Sequence, residues 1–405
     1  MIDYRQAQQL LLEKARSFGR ERIGLEEADG RVLAEPVFAD RDYPPFHRST
    51  MDGYAIRHSD LEKGIRRFSV VETIYAGQAG TRSIGIGECY KIMTGAPVPG
   101  DADTVIRRED TDETAPFQER SPTIELASSI TLLSGQRYQN IARQGEDLRA
   151  GDTAIATPSI IGPAVMGILA SLGRNECLVE KRPRVALYTT GNEVVQVDAA
   201  VSPIQIRNSN RWILQSLLKG WGIRPAVYEH LPDSKEALRF SLGKGLADAE
   251  LIILSGGVSA GDADYVPGVL EELGVQRLFH KIAMKPGKPV WCGTTPGGAM
   301  VFALPGNPFS GMVGFVLLIR HYLHACFGLP APVPMGLPLE AARKKKTPLD
   351  EFFPVRFTGS PANLQTIELN GSGDSRLGLY ANALALHPAG SGDLPEGSNT
   401  LYYPL

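Results

Sequence analysis

Apolar residues recur near the helical period at the start of the chain. Ala7, Leu10, Leu11 and Ala15 form one face behind Asp3, a residue suited to cap a helix over residues 3–16. The stretch GLEEADGRVLAEPVFADRDYPPF then reads as extended and broken by proline. Residues 65–140 alternate short strand-like runs (FSVVETIYAG, GECYKIMTGAPVP, DTVIRRED, PTIELAS) with glycine turns, which predicts a small β-rich unit. A turn, a short strand and a helix over about 161–172 follow.

Near residue 180 the pattern changes. RPRVALYTTGNEV, IRPAVYEHLPD, AELIILSGG and GAMVFALPGNP read as strands that run into polar glycine turns. NSNRWILQSLLKGWG, SKEALRFSLGKGLA, DYVPGVLEELG and FSGMVGFVLLIRHYL read as the helices between and after them, and VQRLFHKIAM reads as extended. Strands separated by helices of this length predict parallel β-α-β units with helices on both faces, over residues 180 to about 328. GLPAPVPMGLPL (328–339) reads as a linker, and the remainder as a small C-terminal β domain.

Four hundred and five residues are too many for one ordinary core and suggest two to four domains. A net charge of -3 gives no global basic field for nucleic acid. Cys89, Cys177, Cys292 and Cys326 include no CxxC pair, so neither a thiolate zinc site nor a disulfide framework is indicated. That favours a reducing compartment such as the cytoplasm. The N-terminus lacks the pattern of a signal peptide. The run GMVGFVLLIRHYLHACFGL is interrupted by Arg320 and His321, so it reads as a buried helix and no membrane partner is expected.

In an open parallel sheet, ligands bind beyond the carboxyl ends of the strands. Four loops share that address: TTGNEV (189–194), EHLPD (229–233), SGGVSAGDAD (255–264) and LPGNPFSG (304–311). Their glycines let backbone approach a ligand closely, and the helix N-termini that follow favour phosphate. Asp262 and Asp264 would repel a bare phosphate but suit one bridged by a divalent cation, with Glu193 and Asp233 as further carboxylates. For each acid alone, helix capping is an equal reading, and Asp264 could cap the helix that begins near Tyr265. Lys281, Lys285 and Lys288 flank the Pro-Gly turn of HKIAMKPGKP and suit a multiply anionic ligand, or else a solvated basic loop. Acid and base together suggest a phosphorylated substrate with bound magnesium. There is no P-loop, and no GxGxxG follows a first strand. YPPFHRSTMDGYAIR (43–57) and MTGAPVPGDADTVI (93–106) are structured loops that yield no reaction class alone.

Seven segments together, STMDGYA, MTGAPVPGDAD, GED, TTGNE, SGGVSAGDADY, KPGKP and LPGNPFS, resemble the molybdopterin molybdenumtransferase family in composition and order, over essentially the whole chain. The resemblance implies a multidomain α/β protein: a central three-layer α/β molybdopterin-binding domain, a β-rich inserted domain and a small C-terminal β barrel. The implied boundaries are 1–27 with 44–64 and 145–177 for a discontinuous first domain, and 65–142 for the insert, with 28–43 leading into it. The α/β domain spans 178–328 and the barrel 329–405. It further implies an elongated homodimer whose active-site cleft includes the partner's second domain. The reaction implied is insertion of molybdate into adenylyl-molybdopterin with release of AMP.

On that resemblance, Asp233 and Asp264 match metal-holding carboxylates for Mg2+. Asp52, Thr94, Glu193, Lys281 and Lys285 match residues near the reaction. Asp147, Ser255, Gly256, Gly257, Ser259, Lys288, Pro305, Gly306, Asn307 and Pro308 match residues that hold the pterin nucleotide. IARQGED departs from the family's basic IRRRGED, since Ala142 and Gln144 replace basic residues while Arg143 remains. Asn192 stands where Asp is common, and the serine-rich turn near Ser375 and Arg376 is altered. The competing readings are a molybdopterin adenylyltransferase, which would explain the α/β domain but not the first 175 residues, and a non-catalytic scaffold homologue. The implied partners are a second copy of the chain, the upstream adenylylating enzyme and downstream molybdoenzyme maturation factors.

Overall fold

The structure, a computed structural model, describes residues 1–113, 123–127, 137–258, 264–359, 362–374, 376 and 379–405. Its contacts gather the chain into two units. One comprises Met1–Glu35, Pro158–Met166 and Glu176–Leu405, the other Pro36–Thr157 and Gly167–Asn175. The four-part division expected from sequence is finer than this grouping.

The first unit is built on a six-stranded sheet: β1 (Val185–Thr190), β2 (Val227–Leu231), β3 (Leu251–Ser255), β4 (Gln276–His280), β5 (Trp291–Thr294) and β6 (Met300–Leu304). Their spatial order is β2-β1-β3-β6-β5-β4. The first four strands in that order are parallel, whereas β5 pairs antiparallel with β6 and β4 antiparallel with β5. The expected run of parallel units is therefore corrected at this edge. Only residues 281–290 join β4 to β5, and only 295–299 join β5 to β6. Neither connection is long enough for the crossover that a parallel pair requires.

Alternation along the strands feeds two cores. Val185, Leu187, Leu251, Ile253 and Phe302 point to one face, which is covered by Leu214 and Leu218 of α1 (Ser209–Lys219) and by Phe309 and Val313 of α4 (Pro308–Gly314). Ala186, Tyr188, Ile252, Leu254 and Val301 point to the other, covered by Leu238 and Leu242 of α2 (Lys235–Asp248) and by Val266 and Val269 of α3 (Val266–Glu272). The period of two puts neighbours on opposite faces, so a fully apolar strand serves both cores.

The N-terminal helix Tyr4–Lys14 carries the predicted cap. Asp3 Oδ1 accepts from Gln6 N at 2.8 Å, while Asp3 N donates to Gln6 Oε1 at 3.1 Å. Its Tyr4, Ala7 and Leu11 join the core on the α1 side. The helical run Pro308–Cys326 that follows β6 is long and apolar enough to cross a membrane, but 78% of it is buried inside the protein, so its apolar length serves the core. Phe315–Ile319 within it is π-helical.

The C-terminal segment forms a second six-stranded sheet in the same unit. Met284–Lys285, Asp350–Gly359, Ala383–His387, Asn399–Pro404 and Met335–Pro338 follow in that spatial order, and Ala362–Thr366 pairs with Asp350–Gly359. Met335–Pro338 lies inside the stretch read as a linker. Its residues pair antiparallel with Asn399–Tyr402, which gives the extended segment hydrogen-bond partners. The sheet curls as a half-barrel, and an isolated bridge joins Leu339 to Leu364.

The second unit has a five-stranded sheet ordered Thr104–Arg107, Gly53–Ile56, Glu88–Ile92, Arg67–Ile74 and Thr123–Glu125, as the β-rich pattern predicts. Ala55, Tyr90, Ile92 and Val105 fill one small core, and Tyr54, Ile56, Cys89 and Ile106 another. Within the second core's sheet, the fully buried Glu113 carboxylate meets Lys91 Nζ at 2.6 Å, Tyr54 OH at 2.6 Å and Arg108 Nε at 3.3 Å.

Candidate functional site at the carboxyl edge of the parallel strands

The four parallel strands end side by side, and all four predicted loops line one cavity of about 770 Å³. Thr189, Thr190, Gly191, Glu193 and Val194 come from the end of β1, and Asp233 follows β2. Ser255, Gly256, Gly257, Val258 and Asp264 come from β3 and its loop, and Pro305, Gly306, Asn307 and Pro308 follow β6. Ser259, Gly261 and Asp262 lie outside the described residues, as does Ser375.

The glycines are required by close packing. Gly256 has φ +103°, and a Cβ there would lie 2.5 Å from Thr190 Oγ1 and 2.9 Å from the Thr190 carbonyl oxygen. Gly257 has φ +68°, and its Cβ would lie 2.7 Å from Val266 Cγ2. Both conformations favour glycine. The β3 loop thus crosses directly over the end of β1.

Polar contacts tie the loops together. Asn192 N donates to Asp233 Oδ2, and Asp233 N donates back to Asn192 Oδ1, both at 3.2 Å. Asn192 therefore supplies an acceptor to the β2 loop without adding a second carboxylate. His230 bridges the same strand ends through contacts with Thr189 Oγ1 at 3.0 Å and the Gly191 carbonyl at 3.1 Å. Asn210 Nδ2 donates to Ser255 Oγ at 2.8 Å and to the Gly306 carbonyl at 2.6 Å, so one amide fastens the β3 and β6 loops.

Asn208, Ser209 and Asn210 also line the cavity, at the N-terminus of α1. Asn208 caps the helix by accepting from Arg211 N at 3.1 Å. Capping alone accounts for these residue types, so the sequence carries no separate signal of the cavity. Gly373, from the C-terminal segment, is a further lining residue without a sequence signal. It is held close by Asn307 Nδ2 donating to Ser372 Oγ at 2.9 Å and Phe309 N to the Ser372 carbonyl at 3.2 Å.

The cavity brings Glu193, Asp233 and Asp264 to one wall set, beside the positive end of the α1 dipole. No group of three or more metal-ligating His, Cys, Asp or Glu side chains occurs among the described residues. Asp233 and Asp264 are hard oxygen donors, however. Magnesium is commonly held by one or two carboxylates with water and substrate phosphate completing the shell. The donor set fits that mode.

The three predicted lysines are not in the lining, although Pro289 beside Lys288 is. Lys285 and Lys288 are exposed and Lys281 is half-buried. Lys281 has φ +68°, uncommon for a residue with a side chain, and its N–H donates to the Val290 carbonyl at 2.9 Å. Gly287 takes φ +96° in the turn between Lys285 and Lys288.

In the second unit, Asp52 and Thr94 are in contact as their chemistry suggests. Asp52 Oδ1 accepts from Thr94 N at 2.7 Å and Thr94 Oγ1 at 2.8 Å. Asp147 is exposed, with its N–H donating to the Tyr43 carbonyl at 3.0 Å. In the divergent IARQGED segment, Ala142 is buried opposite the exposed Arg48 in a short ladder. Gln144 Nε2 donates to Asp42 at 2.9 Å, and the Arg143 guanidinium lies 4.6 Å from the Tyr138 ring centre.

Two family models match the chain: the MoeA N-terminal region (domain I and II) over residues 2–173, and a probable molybdopterin binding domain over residues 186–325. A molybdopterin molybdenumtransferase from Staphylococcus epidermidis is 31% identical over 385 residues, covering 93% of this chain and 89% of that protein. One from Synechocystis sp. is 31% identical over 362 residues, covering 89% and 88%. A crystal structure of a molybdopterin biosynthesis moeA protein from Pyrococcus horikoshii OT3 superposes with a TM-score of 0.84 at 26% identity, over 100% of both chains.

Proposed function

The chain belongs to the molybdopterin molybdenumtransferase (MoeA) family of molybdenum cofactor biosynthesis, and from that premise we propose that it inserts molybdate into adenylyl-molybdopterin with release of AMP. The observation that carries the proposal is the cavity at the carboxyl ends of four parallel strands, where glycine-lined backbone, a helix N-terminus and the carboxylates of Asp233 and Asp264 meet. Gly256, Gly257 and Gly306 leave room for a pyrophosphate against the backbone, with Ser255, Asn307 and the flanking Pro305 and Pro308 shaping the wall. Bound Mg2+, held by Asp233 and Asp264, would withdraw charge from the pyrophosphate as AMP leaves.

The remaining roles belong to this chain's own side chains. Glu193 orients water or nucleotide from the β1 loop. Lys281, Lys285 and Lys288 attract the anionic substrate and molybdate by long-range charge, since they stand outside the lining. Asp52 accepts and Thr94 donates in positioning the reacting group, and Asp147 joins them on the family resemblance. A three-layer α/β domain, a small C-terminal β-barrel domain, the four-domain division, a homodimer and a cytoplasmic location follow from the same reading. So do contacts with the upstream adenylylating enzyme and with downstream maturation factors.

The test is AMP release from adenylyl-molybdopterin over a magnesium titration, comparing the unsubstituted protein with Asp264→Ala. The reading requires release that depends on magnesium and a variant that needs far more of it. Equal magnesium dependence in the two proteins would remove Asp264 from the metal site. Formation of adenylylated product from molybdopterin and ATP would favour the adenylyltransferase reading instead.

A further inference from the structure

A second cavity of about 410 Å³ opens beside the first and shares Arg207, Asn208 and Ser209 with it. Its other lining residues are Val197, Trp212, Ile213 and Met312. Trp212 is 49% exposed and Val197 52% exposed, an unusual concentration of apolar surface next to a polar cavity. Ile206, at 58%, continues the apolar surface into the main cavity.

The two cavities differ in chemistry. The main one is dense in hydrogen-bonding groups: Thr189, Thr190, Asn210, Ser255, Glu193 and Asp233 among others. Two of its polar atoms, Thr190 Oγ1 and Asn210 Oδ1, are buried without a protein partner. Beyond the three residues at the junction, the described lining of the second cavity is apolar apart from the Trp212 indole N–H. At that junction sit the guanidinium of Arg207 and the N-terminus of the eleven-residue helix α1, both suited to an anion. The Trp212 ring is itself held, with the Arg211 guanidinium 4.9 Å from its centre and 3.7 Å from the centre of the Tyr228 ring.

This arrangement suits a ligand with a flat aromatic end that makes few hydrogen bonds, an anionic middle and a polar remainder. We propose that Trp212, with Val197, Ile213 and Met312, forms the seat for the nucleobase of the adenylylated substrate, and that Arg207 and the α1 N-terminus take the adjoining phosphate. The pterin end, rich in amide-like and amino groups, then occupies the main cavity with its unpartnered acceptor and hydroxyl. The inference rests on the substrate assigned under Proposed function and extends it to the residues that select a nucleotide.

The probes are AMP and ribose 5-phosphate, which share the phosphate and differ in the base. Both are titrated calorimetrically into the full chain, Trp212→Ala, Trp212→Phe and Val197→Ala, with circular dichroism and solution mass as checks on the variants. AMP should bind the unsubstituted protein more tightly than ribose 5-phosphate. Trp212→Ala should erase about tenfold of AMP affinity, in the range found for a base stacked on an aromatic side chain, and leave ribose 5-phosphate unchanged. Trp212→Phe should keep most of the preference, and Val197→Ala should lower it modestly.

Three results would overturn the inference: equal affinity for the two probes in the unsubstituted protein, equal weakening of both by Trp212→Ala, or an altered solution mass with AMP affinity intact. The last would make the apolar surface a contact between protein chains. A base preference lost in Trp212→Ala without any molybdenum insertion would leave the nucleotide seat standing and remove the transferase reaction. Insertion without a base preference would do the reverse.

Discussion

Gly256 has no space for a methyl group, because the β3 loop lies against Thr190 at the end of β1. Gly256→Ala must both hold a left-handed backbone and displace the Thr190 hydroxyl and carbonyl, a strain of about 1–3 kcal/mol. Thermal unfolding should show a lowered midpoint for that variant. Gly268, within α3, has ordinary φ and nothing within 4 Å of its Cβ position, so Gly268→Ala should leave the midpoint unchanged or raise it. Similar shifts for both would deny that the loop crossing constrains Gly256. The glycines of SGG were legible in the sequence as points of backbone approach, but what they approach was not. Asn210 was less legible still: its amide fastens residues 45 and 96 positions away, a pairing no local pattern encodes.

At the scale of the element, the β-rich sheet of the second unit is locked by a charged cluster. Burial alone would raise the Glu113 carboxyl, but hydrogen bonds from Lys91 and Tyr54 and the charges of Lys91 and Arg108 outweigh it and hold the group below its ordinary value. A carboxyl lowered in the folded state binds fewer protons there than in the unfolded chain. Its stabilisation is therefore present above the unfolded value, about 4.3, and is lost as pH falls through the lower folded value. Urea unfolding followed from pH 7 down to about pH 3 should show this acid loss. Glu113→Ala should cost about 3–5 kcal/mol at pH 7, because it strands a buried lysine, and should flatten the acid slope. An unchanged slope would exclude Glu113 as its source. The strands around this cluster were visible as alternating runs, whereas Glu113 lies in a turn-rich stretch whose partners come from three separate strands and turns. The same limit applies to the α/β sheet. Strong apolar runs marked β1, β3 and β6, but the antiparallel β4 and β5 edge follows from connection lengths that only became defined once β5 was located.

The first unit as a whole gathers four loops, scattered over residues 189–311, onto one edge of a sheet. The rule that ligands sit beyond the carboxyl ends of parallel strands makes that convergence readable from the sequence. The charges were less readable. Proximity in sequence suggested that Lys281, Lys285 and Lys288 act as a local cluster, yet Lys285 belongs to a strand of the C-terminal sheet and none of the three lines the cavity. Gly373 reaches the cavity from a segment whose composition shows no sign of it. The proposed reaction is coupled: molybdate enters as AMP leaves. The most direct test follows AMP release and molybdenum incorporation together in a single turnover of adenylyl-molybdopterin, with molybdate present or omitted and magnesium constant. Coupling requires one AMP released for each molybdenum incorporated, and little release without molybdate. AMP release indifferent to molybdate, with no molybdenum retained on the pterin, would contradict it.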